Sequence, residues 1–156
     1  MTAITKYTDT STIRAIIGLT EKDVKDDSFV DMNLDDKLLS ELTDWLPTHD
    51  TVYTDGTAGS PTETQKNNLR NLKLYAAYYC ASHIDQFQLN IMAAVGDGKN
   101  IMKRFEGIDF DELAAKLSDT AGTYKDRLDE AINAVATSTP IFIGVSLPGY
   151  DPVTNT

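Results

Sequence analysis

The sequence predicts a mainly α-helical fold: a small helical bundle with two long antiparallel helices, followed by an extended, strand-like C-terminal tail. Apolar residues recur every three or four positions along two long segments, which is the period of one helical face. Glycine or proline interrupts the chain at Gly18, Pro47 and Gly96. After Thr137, β-branched and aromatic residues stand between prolines, a composition that is typical of extended chain.

The first long helix is predicted from about Glu63 to Ile91 and the second from near Asp109 to Val135. Their connection is shorter than about twenty residues, which favours an antiparallel pair. The apolar stripe of the first helix contains Leu69, Leu72, Ala76, Tyr79, His83, Phe87 and Ile91. That of the second contains Phe110, Leu113, Leu117, Ala121, Tyr124, Leu128, Ala131, Ile132 and Val135.

Near the start of the chain, a short helix is predicted to begin with Thr10 or Ser11 as its N-cap and to stop at Gly18. The segment Thr20–Asp23 resembles a capping box, with aspartate in place of the usual glutamate or glutamine. We expect this segment to form one turn of a connector.

The middle of the chain combines a helix with a predicted loop. Apolar residues keep helical spacing from Asn33 or Asp35 to Leu46, and Pro47 ends the helix. From Thr48 to Thr64 the sequence is rich in Thr, Asp, Gly, Ser and Pro, which predicts a long loop. Such a loop is expected to be either mobile or part of an interface.

Composition bounds the possible partners. The chain has 24 acidic and 14 basic residues and a net charge of -10, which argues against tight binding of duplex nucleic acid. An acidic surface would instead let DNA pass close by without sticking. No apolar run reaches the length of a signal peptide or a membrane span, so we expect a cytosolic protein with no membrane contact.

Catalytic and cofactor chemistry is not predicted, and we expect no enzyme activity and no cofactor. The single cysteine, Cys80, excludes an internal disulfide framework and a multi-cysteine zinc site. His83 follows it on the same helical stripe, where core packing is a better interpretation than a Cys–His dyad. The segment Ala93–Asn100 lacks both the first glycine and the final Ser or Thr of a phosphate loop, and Gly96–Gly98 is expected to be a turn.

Two further clusters have a structural and a functional interpretation. An acidic cluster could hold a cation, but carboxylates that complement helix dipoles explain it more simply. Its members are Asp26, Asp27, Asp31, Asp35 and Asp36. An aromatic cluster could stack bases, but buried or interfacial packing is favoured, with Tyr75 and Tyr78 facing a second helix or a neighbouring subunit. Its members are Tyr75, Tyr78 and Tyr79.

The C-terminal segment Ile141–Leu147 is more apolar than a solvated tail would be. It is either a strand within its own domain or a strand added to another chain, which would satisfy its backbone donors and acceptors. A chain of 156 residues fits one domain. We assign residues 1–136 to the helical bundle, with the loop 48–64 inside it, and residues 137–156 to an extended docking tail.

The order of these parts resembles the head-to-tail adaptor, or head-completion, proteins of tailed bacteriophages. The likeness is carried by Ile13–Val24, the Leu-rich helix, the long Tyr- and Ala-rich helix, and an ending from Ile143 to Asn155. It implies a helical bundle repeated as a twelve-fold ring beneath the capsid portal. Partners would be the portal, a tail-side neck or tail protein and further copies of the chain, with DNA as non-specific cargo in the virion neck. The virion would be assembled in the host cytoplasm.

The resemblance also implies that the tail docks onto the portal and that the Thr48–Thr64 segment contacts the ring or the tail. The docking residues would be Ile141, Phe142, Ile143, Val145, Leu147, Tyr150, Asp151, Pro152 and Val153. An alternative class is a small helical binding or regulatory module that acts on a soluble protein partner. That module would have a folded tail and a calcium-dependent melting temperature.

Overall fold

The computed structural model describes residues 2–83 and 109–137, and all of its regular structure there is helical. The prediction of a mainly α fold is therefore confirmed. Seven helices lie in these two ranges: α1 (Ala3–Tyr7), α2 (Thr10–Ile17), α3 (Asp26–Asp31), α4 (Leu34–Trp45), α5 (His49–Gly56), α6 (Glu63–Ser82) and α7 (Phe110–Thr137). The turn predicted at Gly96–Gly98 and the tail from residue 138 onward lie outside the described residues.

The two long helices pack against each other, as the apolar stripes predicted. Tyr78 of α6 stacks on Tyr124 of α7 with ring centroids 5.6 Å apart. His83, just past the end of α6, shares a surface hollow with Asp111 and Ala114 from the start of α7. Because the end of one helix meets the start of the other, the pair is antiparallel.

The core forms where α4 and the smaller helices pack around α6. Each long helix and α4 contributes a buried apolar stripe, and Tyr7, Ile13, Val24 and Phe29 close the core from the N-terminal side. The buried stripes consist of Leu34, Leu38 and Leu42 on α4, Leu72, Ala76 and Cys80 on α6, and Leu117, Ala121 and Leu128 on α7. Among the described residues, no helix combines the length and apolarity needed to cross a membrane.

Local chemistry explains the ends of the shorter helices. Asp9 caps α2 by accepting a hydrogen bond from the backbone N–H of Thr12. The N-cap is therefore Asp9 and not the predicted Thr10 or Ser11. Gly18 ends α2 as predicted, with φ at +79°, a conformation that glycine adopts without a steric cost. Pro47 disfavours helical backbone at the preceding residue, and α4 accordingly ends at Trp45.

The prediction of a loop from Thr48 to Thr64 is wrong, because residues 49–56 form α5 and the connection to α6 covers only 57–62. Tertiary packing outweighs the weak helix propensity of this segment. His49 is buried, Tyr53 packs edge-on against Tyr7, and Gly56 lies against Leu69 of α6. Helices α1 and α3 were not predicted either.

The first long helix ends at Ser82 with His83 as its C-cap, so the single helix predicted from Glu63 to Ile91 is interrupted there. The rest of that prediction, with Phe87 and Ile91, lies outside the described residues. Side chains compete for the carbonyl that a continuing helix would use. The Ser82 hydroxyl and the His83 ring both donate to the Tyr79 carbonyl oxygen, and the His83 backbone N–H donates to the Cys80 carbonyl oxygen. At the other end, the Thr62 side chain and Gln65 form a capping box.

Candidate functional site

The residues that the sequence assigned to portal docking, Ile141 through Val153, all lie outside the described residues. Candidate sites in the described part of the chain are two polar clusters, one buried thiol and one open cleft. The two polar clusters are each built by side chains that are distant in sequence.

Cys80 is fully buried, as predicted from its place on the α6 stripe. Burial raises the pKa of its thiol to about 12, so the group is protonated and unreactive near neutral pH. His83 is half-buried at the end of α6, where Nδ1 donates to the Tyr79 carbonyl 2.9 Å away. Both side chains therefore serve packing and capping.

The first polar cluster fastens α1 to α5. The Tyr7 hydroxyl donates to Oδ1 of Asp50, and Nδ1 of His49 lies 2.5 Å from the same hydroxyl oxygen. Because the hydroxyl gives its one proton to Asp50, it can only accept from His49 Nδ1, which also lies 3.1 Å from Asp50 Oδ1. Nζ of Lys6 lies 2.5 Å from Asp50 Oδ1 and closes the cluster.

Opposite pKa shifts follow from this geometry. Hydrogen bonds from Lys6 and Tyr7 hold the pKa of Asp50 at about 2, below its usual range. Burial, together with the hydrogen bond to Asp50, raises the pKa of Tyr7. At neutral pH, the cluster thus holds a carboxylate, an ammonium and a neutral phenol, each satisfied by its neighbours.

The second polar cluster joins α4, α6 and α7 through Glu41. Its Oε1 accepts from the Tyr75 hydroxyl at 3.1 Å and from Lys125 at 3.0 Å. Lys125 also lies over the Trp45 ring, with Nζ 4.7 Å from the centroid, and the indole Nε1 of Trp45 donates to Asp129. Every polar end in this cluster connects two different helices.

The three tyrosines of the aromatic cluster pack against other side chains, which is the interpretation that the sequence favoured. Tyr75 is buried against Trp45 of α4, with ring centroids 4.7 Å apart, and Tyr78 stacks on Tyr124 of α7. Tyr79 is half-buried beside Tyr75. Tyr75 and Tyr78 thus face other helices, which confirms the prediction.

An open cleft of about 500 Å³ lies where α1, α2, α3 and α4 meet, and we call it the acidic cleft. Its apolar part comes from Ile4, Phe29 and Val30, and Val30 is 76% exposed. Its polar rim includes Asp9, Asp26, Asp35 and Asp36.

Intramolecular contacts use most of these carboxylates. Asp9 caps α2, and Asp35 accepts from the backbone N–H of Ile4 at 2.7 Å. Asp26 pairs with Arg14, whose guanidinium lowers the pKa of that carboxyl. Asp36 is exposed.

The helix-dipole interpretation is confirmed for four members of the acidic cluster, because Asp26 and Asp27 open α3 and Asp35 and Asp36 open α4. It does not apply to Asp31, which is the last residue of α3. Within 2–83 and 109–137, no three potential metal ligands come together. Asp55 and Gly56 form the end of α5.

Comparison of the chain with protein-family models, curated proteins and solved structures found no match. What the protein does has therefore to be inferred from its own residues.

Sequence reasoning missed the Tyr7 and Glu41 clusters. Tyr7 and His49 are 42 positions apart, and Glu41 and Lys125 are 84 apart, so no local spacing links them. The only signal for the first cluster was the helical spacing of His49, Val52, Tyr53 and Gly56, which the surrounding threonines and glycines obscured.

Proposed function

We propose that the protein is a structural subunit of a bacteriophage neck, where copies form a ring that joins the capsid portal to the tail and lets DNA pass. The observation that carries this proposal is how its ionisable side chains are used. The Tyr7 and Glu41 clusters satisfy their charges by linking one helix to another. Charged groups that hold the helices of one subunit together suit a structural role better than a catalytic one.

The charge balance supports the same role. With 24 acidic and 14 basic residues, the subunit repels packaged DNA, and a channel lined by such subunits lets DNA slide. The chain resembles the adaptors in the order of its elements. The fold contains these elements in that order, which is the short α2, the Leu-rich α4 and then the long α6.

The apolar tail supplies the portal contact in this proposal. Its β-branched and apolar composition suits a strand that pairs with another chain. We place twelve copies in the ring, with the portal on one side and a tail-side neck or tail protein on the other. DNA is cargo, and the ring takes its place in the virion neck after assembly in the host cytoplasm.

The test is decoration of portal rings assembled from the portal protein of the same genome. The full-length chain and a chain truncated after Thr139 are each incubated with the rings and imaged by electron microscopy. We expect the full-length chain to add a layer with rotational symmetry and the truncated chain to leave the portal bare.

A full-length variant with serine at Ile141, Ile143 and Val145 is the control for chain length, and it should also fail to decorate. Decoration by the truncated form would overturn tail docking but keep the adaptor function. Bare portals in every mixture would overturn the adaptor function.

The acidic cleft favours a second candidate, a helical binding module for a soluble protein partner. A cleft of about 500 Å³ with an apolar base is large enough to seat a side chain of another protein. This candidate gains support if portals stay bare and the melting temperature rises with calcium. An unchanged melting temperature in calcium would count against its cation-dependent form.

A further inference from the structure

We draw no further inference here: the strongest candidate, the acidic cleft between α1, α2, α3 and α4 with the exposed Val30 at its edge, carries nothing, because contacts within the chain engage Asp9, Asp26 and Asp35 on its rim and nothing in the described residues shows what covers it.

Discussion

The hydroxyl oxygen of Tyr7 lies 2.5 Å from Nδ1 of His49, which ties the first helix to α5 across 42 positions of sequence. Both residues are buried, and the hydroxyl proton is directed at Asp50. This contact holds in place a helix that composition alone would have left as a loop.

Replacing Tyr7 with phenylalanine should lower the free energy of unfolding by about 1–3 kcal/mol, because it removes the hydrogen bond from the buried hydroxyl to the Asp50 carboxylate and the oxygen nearest to His49 Nδ1. Chemical denaturation measures the change. Tyr53→Phe is the matched control: its hydroxyl makes no hydrogen bond to the described residues, so its effect should stay below about 0.5 kcal/mol. Equal losses from the two variants would contradict the role of the Tyr7 hydroxyl.

Acid should weaken the same cluster. The pKa of Asp50 is held at about 2 in the folded chain against an ordinary 3.8, so the folded state favours the ionised carboxylate. This contribution is complete above about pH 5 and is lost progressively as the pH falls through 3.8 and then through about 2. Denaturation midpoints measured across that window should fall for the natural chain and fall less for Asp50→Asn.

Asp50→Asn should still lose some stability at low pH, because the pKa values of Asp9 and Asp26 are also lowered by their hydrogen bonds. Asp44→Asn, at an exposed position on α4, is the control and should follow the natural chain. Superimposable curves for the natural chain and Asp50→Asn would show that the lowered pKa of Asp50 does not contribute.

Two glycines should respond to alanine in opposite directions. A Cβ at Gly56 would lie 2.5 Å from the Cβ of Leu69, so Gly56→Ala must push α5 away from α6 and should cost about 1–3 kcal/mol. Gly122 lies inside α7 with no atom within 4 Å of an added Cβ. Gly122→Ala should stabilise the helix by about 0.5–1 kcal/mol. Thermal melts of both variants test the packing. An unchanged melting temperature in Gly56→Ala would contradict the close contact between Gly56 and Leu69.

The Cys80 thiol should react only when the structure opens. Burial raises its pKa to about 12, and no part of its side chain reaches solvent. At pH 8 a disulfide reagent should modify it at least ~100-fold more slowly in buffer than in denaturing urea. Lys116→Cys in a Cys80→Ser background is the exposed control and should react at similar rates in both. Fast modification of native Cys80 would mean that α6 opens locally.

The predictable part of the fold is the part in which helical periodicity is strong. The stripes of α4, α6 and α7 were visible because leucines and alanines recur at helical spacing and buried positions such as Leu72, Leu117 and Leu128 follow it. Glycine and proline marked the ends of α2 and α4 for local steric reasons. The end of α6 escaped prediction because the apolar pattern continues past it, whereas the hydrogen bonds that Ser82 and His83 donate to the Tyr79 carbonyl depend on the local geometry.

The sequence by itself determined the mainly helical class, the pairing of two long helices, the burial of Cys80 and the acidic surface. These properties depend on spacing and composition, which are local or additive. Only the tertiary structure decided that residues 49–56 are helical, that Glu41 reaches Lys125 and that α1 to α4 enclose an acidic cleft. Those outcomes depend on which helices come together, because packing energy between distant segments exceeds the small propensity differences that a single segment records.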